Sequence, residues 1–203
     1  MKNLRLFLFI LAIGVFGILN TEMGVIGILP AVAERFSVPI SQAGLLVSLF
    51  ALVVAGAGPV MPLLFSRFNR KTVMLFVLGL FAVCNLLSAF TDSFAVLLAA
   101  RIIPAFFHPV YCSLAFAAAA QEAPAGEVPK AVGKVMIGTA AGMVVGVPVS
   151  NFLAAQFSLE ASLLFFAAVT ALAFLATLLW VPSLPVHQVL SYGSQLAVLK
   201  KPV

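Results

Sequence analysis

The amino-acid sequence predicts an all-α integral membrane protein with six transmembrane helices. Of its 203 residues, 64% are hydrophobic and only 8% are charged, whereas about a quarter of the residues of a soluble domain are charged. The 11 basic and 6 acidic side chains are too few to cover the surface of a soluble protein of this length. A water-soluble globular protein is therefore excluded.

Six apolar runs are each long enough to cross a membrane, since a hydrocarbon core of about 30 Å needs about 20 apolar residues per helix. The runs are continuous, whereas strands of a membrane barrel alternate between apolar and polar residues, so helices are predicted. The predicted spans are residues 6–30, 41–65, 72–90, 94–120, 135–156 and 161–181. They form a predicted transmembrane bundle over residues 1–182, followed by a linker over 183–203.

The first span resembles a secretory signal peptide, because Lys2 and Arg5 precede its apolar stretch. That stretch has about 25 residues, whereas the apolar part of a signal peptide has about 7 to 15. It also carries the carboxylate of Glu22. A retained transmembrane helix is therefore predicted.

The later spans differ in their proline, glycine and polar residues. The second contains Pro59 and Pro62, the fourth carries Arg101 and His108, and the sixth stops at Pro182. In the fifth span, small residues recur at intervals of four and predict a face on which a neighbouring helix packs closely. This face consists of Gly138, Gly142 and Gly146, followed by Pro148.

The basic residues predict the orientation of the six spans. Nine of the 11 lie on one predicted side, Arg35 lies on the other, and Arg101 lies within a span. By the positive-inside rule, both termini are predicted to be cytoplasmic. Because the nine are spread over four short segments rather than along one stripe, no nucleic-acid partner is expected. They are Lys2, Arg5, Arg67, Arg70, Lys71, Lys130, Lys134, Lys200 and Lys201.

The two cysteines, Cys84 and Cys112, both lie inside apolar runs. Two such thiols do not form a disulfide framework, and neither has other ligands at the spacing of a zinc site. No metal and no cofactor are therefore expected.

Two charged residues inside the spans require an explanation, because placing a charged side chain in the bilayer raises the free energy of membrane insertion by about 2.5 to 3.5 kcal/mol. Glu22 lies about 12 Å from the outer end of the first span, and Arg101 about 10 Å from the outer end of the fourth. The two side chains are therefore predicted to lie at similar depth, where they could meet. One hypothesis is that Glu22 exchanges a proton and Arg101 tunes its affinity. The alternative is a static ion pair that holds two helices together.

His108 follows Arg101 by seven residues and Pro104 by four, which predicts that all three share one face of the fourth span. An imidazole there could relay protons or hydrogen-bond a polar ligand. The alternative is a neutral histidine that is hydrogen-bonded to a backbone carbonyl.

The loop after the second span resembles a motif of the major facilitator superfamily, Gly-x-x-x-Asp-Arg-x-Gly-Arg-Lys. It retains the basic residues Arg67, Arg70 and Lys71, whereas Ser66 and Asn69 stand in place of the aspartate and the second glycine. The resemblance implies that this loop takes part in conformational change. From charge alone, it could equally be a topology anchor.

Two spans add to this resemblance. Leu97 and Arg101 are similar to the Leu-x-x-x-Arg pattern of the family's fourth helix, and Gly142, Gly146 and Pro148 resemble the antiporter motif of its fifth helix. The chain as a whole resembles the N-terminal six-helix half of a bacterial drug:proton antiporter or sugar-efflux-like transporter.

The resemblance implies a 3+3 inverted repeat, with spans one, two, four and five lining a central cavity. It also implies a secondary active transporter of the bacterial cytoplasmic membrane, which exports a small organic solute against inward proton flow. Because the family has twelve spans, a second six-helix half after the linker, or a homodimer partner, is expected to complete it.

Two other classes of protein compete with this interpretation. A structural or assembly subunit of a membrane complex would need no transport activity. An intramembrane serine protease would need a Gly-x-Ser-Gly setting, which the sequence lacks, and Ser113 lies five residues from His108, off its face. We therefore expect no enzymatic activity.

Overall fold

The computed structural model describes residues 3–184, which fold into a helical bundle without any strand in that range. A single 3-10 turn, Phe65–Arg67, lies between the fourth and fifth helices. The helices are α1 (Leu4–Arg35), α2 (Ile40–Ala43), α3 (Leu45–Ala57), α4 (Met61–Leu64), α5 (Arg70–Phe90), α6 (Phe94–Ala105), α7 (His108–Glu122), α8 (Val128–Gln156) and α9 (Leu159–Trp180).

These helices form six segments that are long and apolar enough to cross a membrane, which confirms the predicted number of spans. Of the predicted linker, only Ser183 and Leu184 fall within the structure, and residues 185–203 lie outside the described part of the chain. The six spans, numbered here 1 to 6, are Leu4–Arg35, Ile40–Ala57, Arg70–Phe90, Phe94–Glu122, Val128–Gln156 and Leu159–Trp180.

Two spans extend well beyond an end that the sequence predicted. Helix α1 continues past Pro30 to Arg35, because a proline inside a helix removes one backbone hydrogen bond without necessarily ending the helix. Helix α8 begins at Val128, where Pro129 occupies the first turn. Proline suits this position, since a first-turn N–H has no partner within the helix.

Two other spans are interrupted where the sequence predicted continuous helices. Span 2 ends at Ala57, Pro59 lies between it and the short helix α4, and Pro62 lies in the first turn of α4. Span 4 is broken between α6 and α7, where the N–H of Phe107 donates to the carbonyl of Pro104 at 3.0 Å. His108 is therefore the first residue of a new helix rather than the continuation of α6.

Helix α1 lies at the centre of the bundle and packs against α3, α5, α7, α8 and α9. Its largest interface is with α8, so span 1 pairs with span 5. Span 2 packs against span 4 through α3 and α6, and spans 3 and 6 pair with each other through α5 and α9. If spans 1, 2 and 3 are exchanged with spans 4, 5 and 6, the pair of spans 1 and 5 becomes the pair of spans 4 and 2, and the pair of spans 3 and 6 is unchanged. An inverted repeat requires this equivalence.

The predicted glycine face of span 5 packs directly against α1. A Cβ atom at Gly138 would overlap the carbonyl oxygen of Ala12, and one at Gly146 would lie 2.9 Å from Oδ1 of Asn20. Gly142 is equally close to α1, and Pro148 lies within the same helix. The absence of side chains at these glycines allows the two backbones to approach this closely.

Candidate functional site

The carboxylate of Glu22 in span 1 faces the imidazole of His108 in span 4, and this contact joins the two spans. Nε2 of His108 lies 3.0 Å from Oε2 of Glu22, and the two side chains are 11% and 16% exposed. The ring makes no aligned hydrogen bond within residues 3–184. The contact is therefore an ion pair when the imidazole is protonated.

Arg101 binds the main chain of span 1. It is 2% exposed, and it donates to the carbonyl of Thr21 at 2.7 Å and to that of Glu22 at 3.4 Å. The sequence suggested that this guanidinium could meet the carboxylate of Glu22, but in the structure that carboxylate pairs with His108 instead. The alternative of a static Glu22–Arg101 ion pair is likewise not seen.

Phe50 of α3 brings span 2 into this cluster. The guanidinium carbon of Arg101 lies 5.1 Å from the centroid of the Phe50 ring, within the range of a cation–π contact. The ring of His108 meets the same phenylalanine edge-on at 6.0 Å. The sequence offered no signal for Phe50, because it is one of 19 phenylalanines in the chain, most of which lie in apolar runs.

Asn85 of α5 links span 3 to the same cluster. Its Nδ2 donates to Oγ1 of Thr21 at 3.0 Å, and that hydroxyl donates to the carbonyl of Gly17 at 2.9 Å. Both side chains are almost completely buried. The polar run at 20–22 and a lone asparagine in span 3 were visible in the sequence, but their contact was not predicted.

Replacing Thr21 with valine is expected to destabilise the bundle by about 1 kcal/mol, because Asn85 would lose its acceptor within the membrane. Thr21→Ser keeps the hydroxyl and serves as the matched control. Unfolding of the purified protein by titration with a denaturing detergent measures the difference. Equal stability of Thr21→Val and Thr21→Ser would show that the hydrogen bond does not contribute.

The basic loop between spans 2 and 3 joins three ends of the bundle. Nζ of Lys71 donates to the carbonyl of Leu178 at 2.9 Å, and Arg70 hydrogen-bonds to Gln121. A cation at the C-terminal end of α9 is favoured by the helix dipole. The side chain of Arg67 makes no hydrogen bond or ion pair within residues 3–184. The loop thereby ties the start of span 3 to the ends of spans 4 and 6.

Arg35 joins three ends on the opposite side of the bundle. It lies 3.3 Å from Asp92, which precedes α6, and it also pairs with Glu160 in the first turn of α9. These contacts connect spans 1, 4 and 6. The two sides of the bundle are therefore each held by basic side chains at helix ends, Arg35 at the end of α1 and Arg70 and Lys71 at the start of α5.

Other reactive side chains are not assembled into a catalytic or metal site in the part of the chain that the structure describes. Oγ of Ser113 donates to the carbonyl of Val110 at 3.0 Å. Cys84 and Cys112 are free thiols, and no three His, Cys, Asp or Glu side chains of residues 3–184 are grouped as metal ligands.

Comparison with known proteins identifies relatives of this fold. The chain is 35% identical over 173 residues to the uncharacterized MFS-type transporter YtbD of Bacillus subtilis (strain 168), covering 85% of this chain and 44% of that protein. It is 29% identical over 201 residues to a protein of Helicobacter acinonychis (strain Sheeba) that is named a probable sugar efflux transporter, covering 98% and 51%. The chain thus spans about half the length of these relatives.

Solved structures show the same fold. A crystal structure of the peptide transporter POT in complex with sulfate superposes with a TM-score of 0.79, at 12% identity, over 95% of this chain and 42% of that one. The family model of the Major Facilitator Superfamily matches residues 11–201. With six apolar helices in this arrangement, the chain belongs to the major facilitator superfamily of membrane transporters.

Proposed function

We propose that this chain forms the N-terminal half of a proton-coupled exporter of small organic solutes, which works by alternating access in a bacterial cytoplasmic membrane. The observation that carries the proposal is the contact between Glu22 and His108 beside the buried Arg101. Both chain termini are expected on the cytoplasmic side, as the distribution of basic residues predicts.

The cluster has the chemistry that proton coupling needs. Protonation of Glu22 neutralises the carboxylate and removes its attraction to a protonated His108, whereas Arg101 stays bound to the carbonyl of Thr21. The carboxylate belongs to span 1 and the imidazole to span 4, so movement of one span against the other changes the proton affinity of Glu22. A proton shifts a conformational equilibrium only through such a difference in affinity between the two states.

The break in span 4 supports movement at this point. Helix α6 ends at Ala105 and α7 begins at His108, so the imidazole sits directly after the interruption. Small changes in the backbone dihedrals of the two intervening residues would move His108 relative to Arg101. Such a movement would separate the imidazole from the carboxylate without disturbing the anchoring of Arg101.

The bundle also has faces that a second half would cover. In span 2 and in span 5, only 22% of the residues in the most apolar stretch are buried within the bundle. In span 1 the corresponding share is 61%. These two spans occupy equivalent places in the two triplets, and the relatives are about twice as long as this chain. We therefore propose that a second six-helix half, or a second copy of this chain, packs against spans 2 and 5.

The proposal is tested with the full-length protein encoded by the source gene. Cells that produce it should accumulate less of a radiolabelled sugar or of a fluorescent organic cation than cells carrying an empty vector. A protonophore should abolish the difference, because the proton gradient drives export. Export that persists with the protonophore would contradict proton coupling, and equal accumulation of all tested solutes would favour a structural subunit.

A further inference from the structure

Four phenylalanine rings form a cluster that reaches from the loop after span 2 to the break in span 4. The centroid of the Phe107 ring lies 5.7 Å from that of Phe65 and 5.2 Å from that of Phe76, and both contacts are edge-on. Phe65 also stacks on Phe76 at 6.5 Å and contacts Phe68 at 6.0 Å. These distances lie in the range of favourable aromatic pairs. The cluster therefore joins this loop to spans 3 and 4.

Phe107 connects the cluster to the imidazole of His108. It is one of the two residues in the break of span 4, and its carbonyl accepts a hydrogen bond from the N–H of Tyr111 in α7 at 3.2 Å. The other residue of the break, Phe106, is 43% exposed and makes no ring contact within residues 3–184. A displacement of the Phe107 ring would therefore displace the start of α7, which is His108.

The imidazole of His108 depends on this support, because no aligned hydrogen bond fixes its direction. Neither of its ring nitrogens has such a bond within residues 3–184, although Nε2 lies 3.0 Å from the carboxylate of Glu22. A hydrogen bond would orient the ring, since its strength falls steeply away from a linear geometry. The place of the imidazole is therefore set by the backbone that carries it and by the edge-on contact with Phe50.

The other end of the cluster lies in the loop between spans 2 and 3. Phe65 begins the 3-10 turn Phe65–Arg67, and Phe68 follows that turn directly. The loop continues into the basic residues that bind the ends of spans 4 and 6. A rearrangement of those contacts would move Phe65 against Phe107.

We propose that Phe107 is a positioning residue for proton coupling, because its ring couples the conformation of the basic loop to the position of His108. This inference rests on the proposed function of the Glu22–His108 pair. While Phe65 and Phe76 hold the ring of Phe107, the imidazole stays beside Glu22, as in the structure. When the loop rearranges, the ring is released and the imidazole moves away from the carboxylate, which changes the proton affinity of Glu22.

The experiment uses the full-length protein encoded by the source gene in everted membrane vesicles. Its probe is the radiolabelled sugar or fluorescent organic cation that the parent protein exports. Phe107→Leu keeps an apolar side chain but removes the ring contacts. We expect the maximum rate of gradient-driven uptake to fall about tenfold and KM to change less than about twofold, because the solute site is unaltered. Solute exchange at equal pH on both sides needs no net proton movement and should keep the parent rate.

Phe90→Leu is the matched control, because it makes the same change in span 3 at a ring that is 68% exposed and lies outside the cluster. It should transport like the parent protein. Phe65→Leu should reproduce the loss that Phe107→Leu causes. The variant with both changes should lose no more than either single variant, because the two rings act through one contact. Each rate is divided by the amount of protein in the membrane.

A second measurement does not depend on transport. Cys112 is a free thiol that lies one turn after His108 on α7. Its labelling by N-ethylmaleimide, followed by peptide mass spectrometry, should be about fivefold faster in Phe107→Leu than in the parent protein, because a helix start that is no longer held opens more often. Phe90→Leu should label at the parent rate.

Three results would each overturn the inference. Phe107→Leu could keep the parent rate of gradient-driven uptake, or it could leave the labelling of Cys112 unchanged. Gradient-driven uptake and solute exchange could also fall together, which would show a purely structural role for Phe107. A parent protein without gradient-driven uptake would instead contradict the proposed function, and this result is seen before any variant is compared.

Discussion

Replacing Glu22 with glutamine in the full-length protein is expected to abolish proton-driven export while the folded protein remains in the membrane. Glutamine has nearly the same shape, so the packing around α1 is preserved, but it cannot exchange a proton or pair with a protonated His108. Arg101 binds backbone carbonyls of span 1, and these contacts remain in the variant. The loss should therefore appear in transport rather than in stability.

Transport is measured in everted membrane vesicles as solute uptake driven by an imposed proton gradient. Glu22→Gln should reduce uptake to the level of vesicles without the protein. The matched control is Glu34→Gln, which changes another carboxylate of the same helix, next to its last residue Arg35, and should transport normally. If Glu22→Gln retains gradient-driven uptake, Glu22 is not the coupling group.

Replacing Gly138 with alanine is expected to lower the free energy of unfolding by about 1 to 3 kcal/mol, the usual cost of overpacking a well-packed interface. The added Cβ would overlap the carbonyl oxygen of Ala12, which belongs to the backbone of α1 and cannot rotate away as a side chain can. The two helices would have to separate along their largest interface. The same substitution at Gly142, whose Cβ would lie 2.7 Å from Leu19, should have the same sign.

The same helix provides the control. Gly133 has no atom within 4 Å of the place where a Cβ would lie, so Gly133→Ala should be neutral or stabilising by up to about 1 kcal/mol, since alanine favours helix over glycine. Unfolding by denaturing detergent, followed by circular dichroism, compares the variants. Equal stabilities of Gly138→Ala and Gly133→Ala would contradict the close approach of α1 and α8.

The number of spans was predictable because it depends on a local property. About 20 successive apolar residues satisfy the membrane regardless of their neighbours, and all six predicted runs are helical spans in the structure. Their ends were less predictable. Pro30 and Pro129 are accommodated within helices, whereas Pro59 lies in a break, and surrounding contacts decide between these outcomes.

The residues of the candidate site were also identifiable from the sequence, since charged and polar groups in lipid are costly and stand out in apolar runs. Counting residues along each span placed Glu22 and Arg101 at similar depth. It did not establish which atoms meet, because the depth of a residue in the membrane does not fix the direction in which its side chain points around the helix axis. The structure pairs Glu22 with His108 and Arg101 with the carbonyl of Thr21.

The sequence by itself therefore determined the membrane class, the six spans and the unusual polar residues within them. Only the tertiary structure decided that Phe50 and Asn85 join these residues, and that the glycines of α8 meet α1. The physical reason is that hydropathy acts along one chain segment, whereas hydrogen bonds, ion pairs and close packing depend on the relative rotation of separate helices.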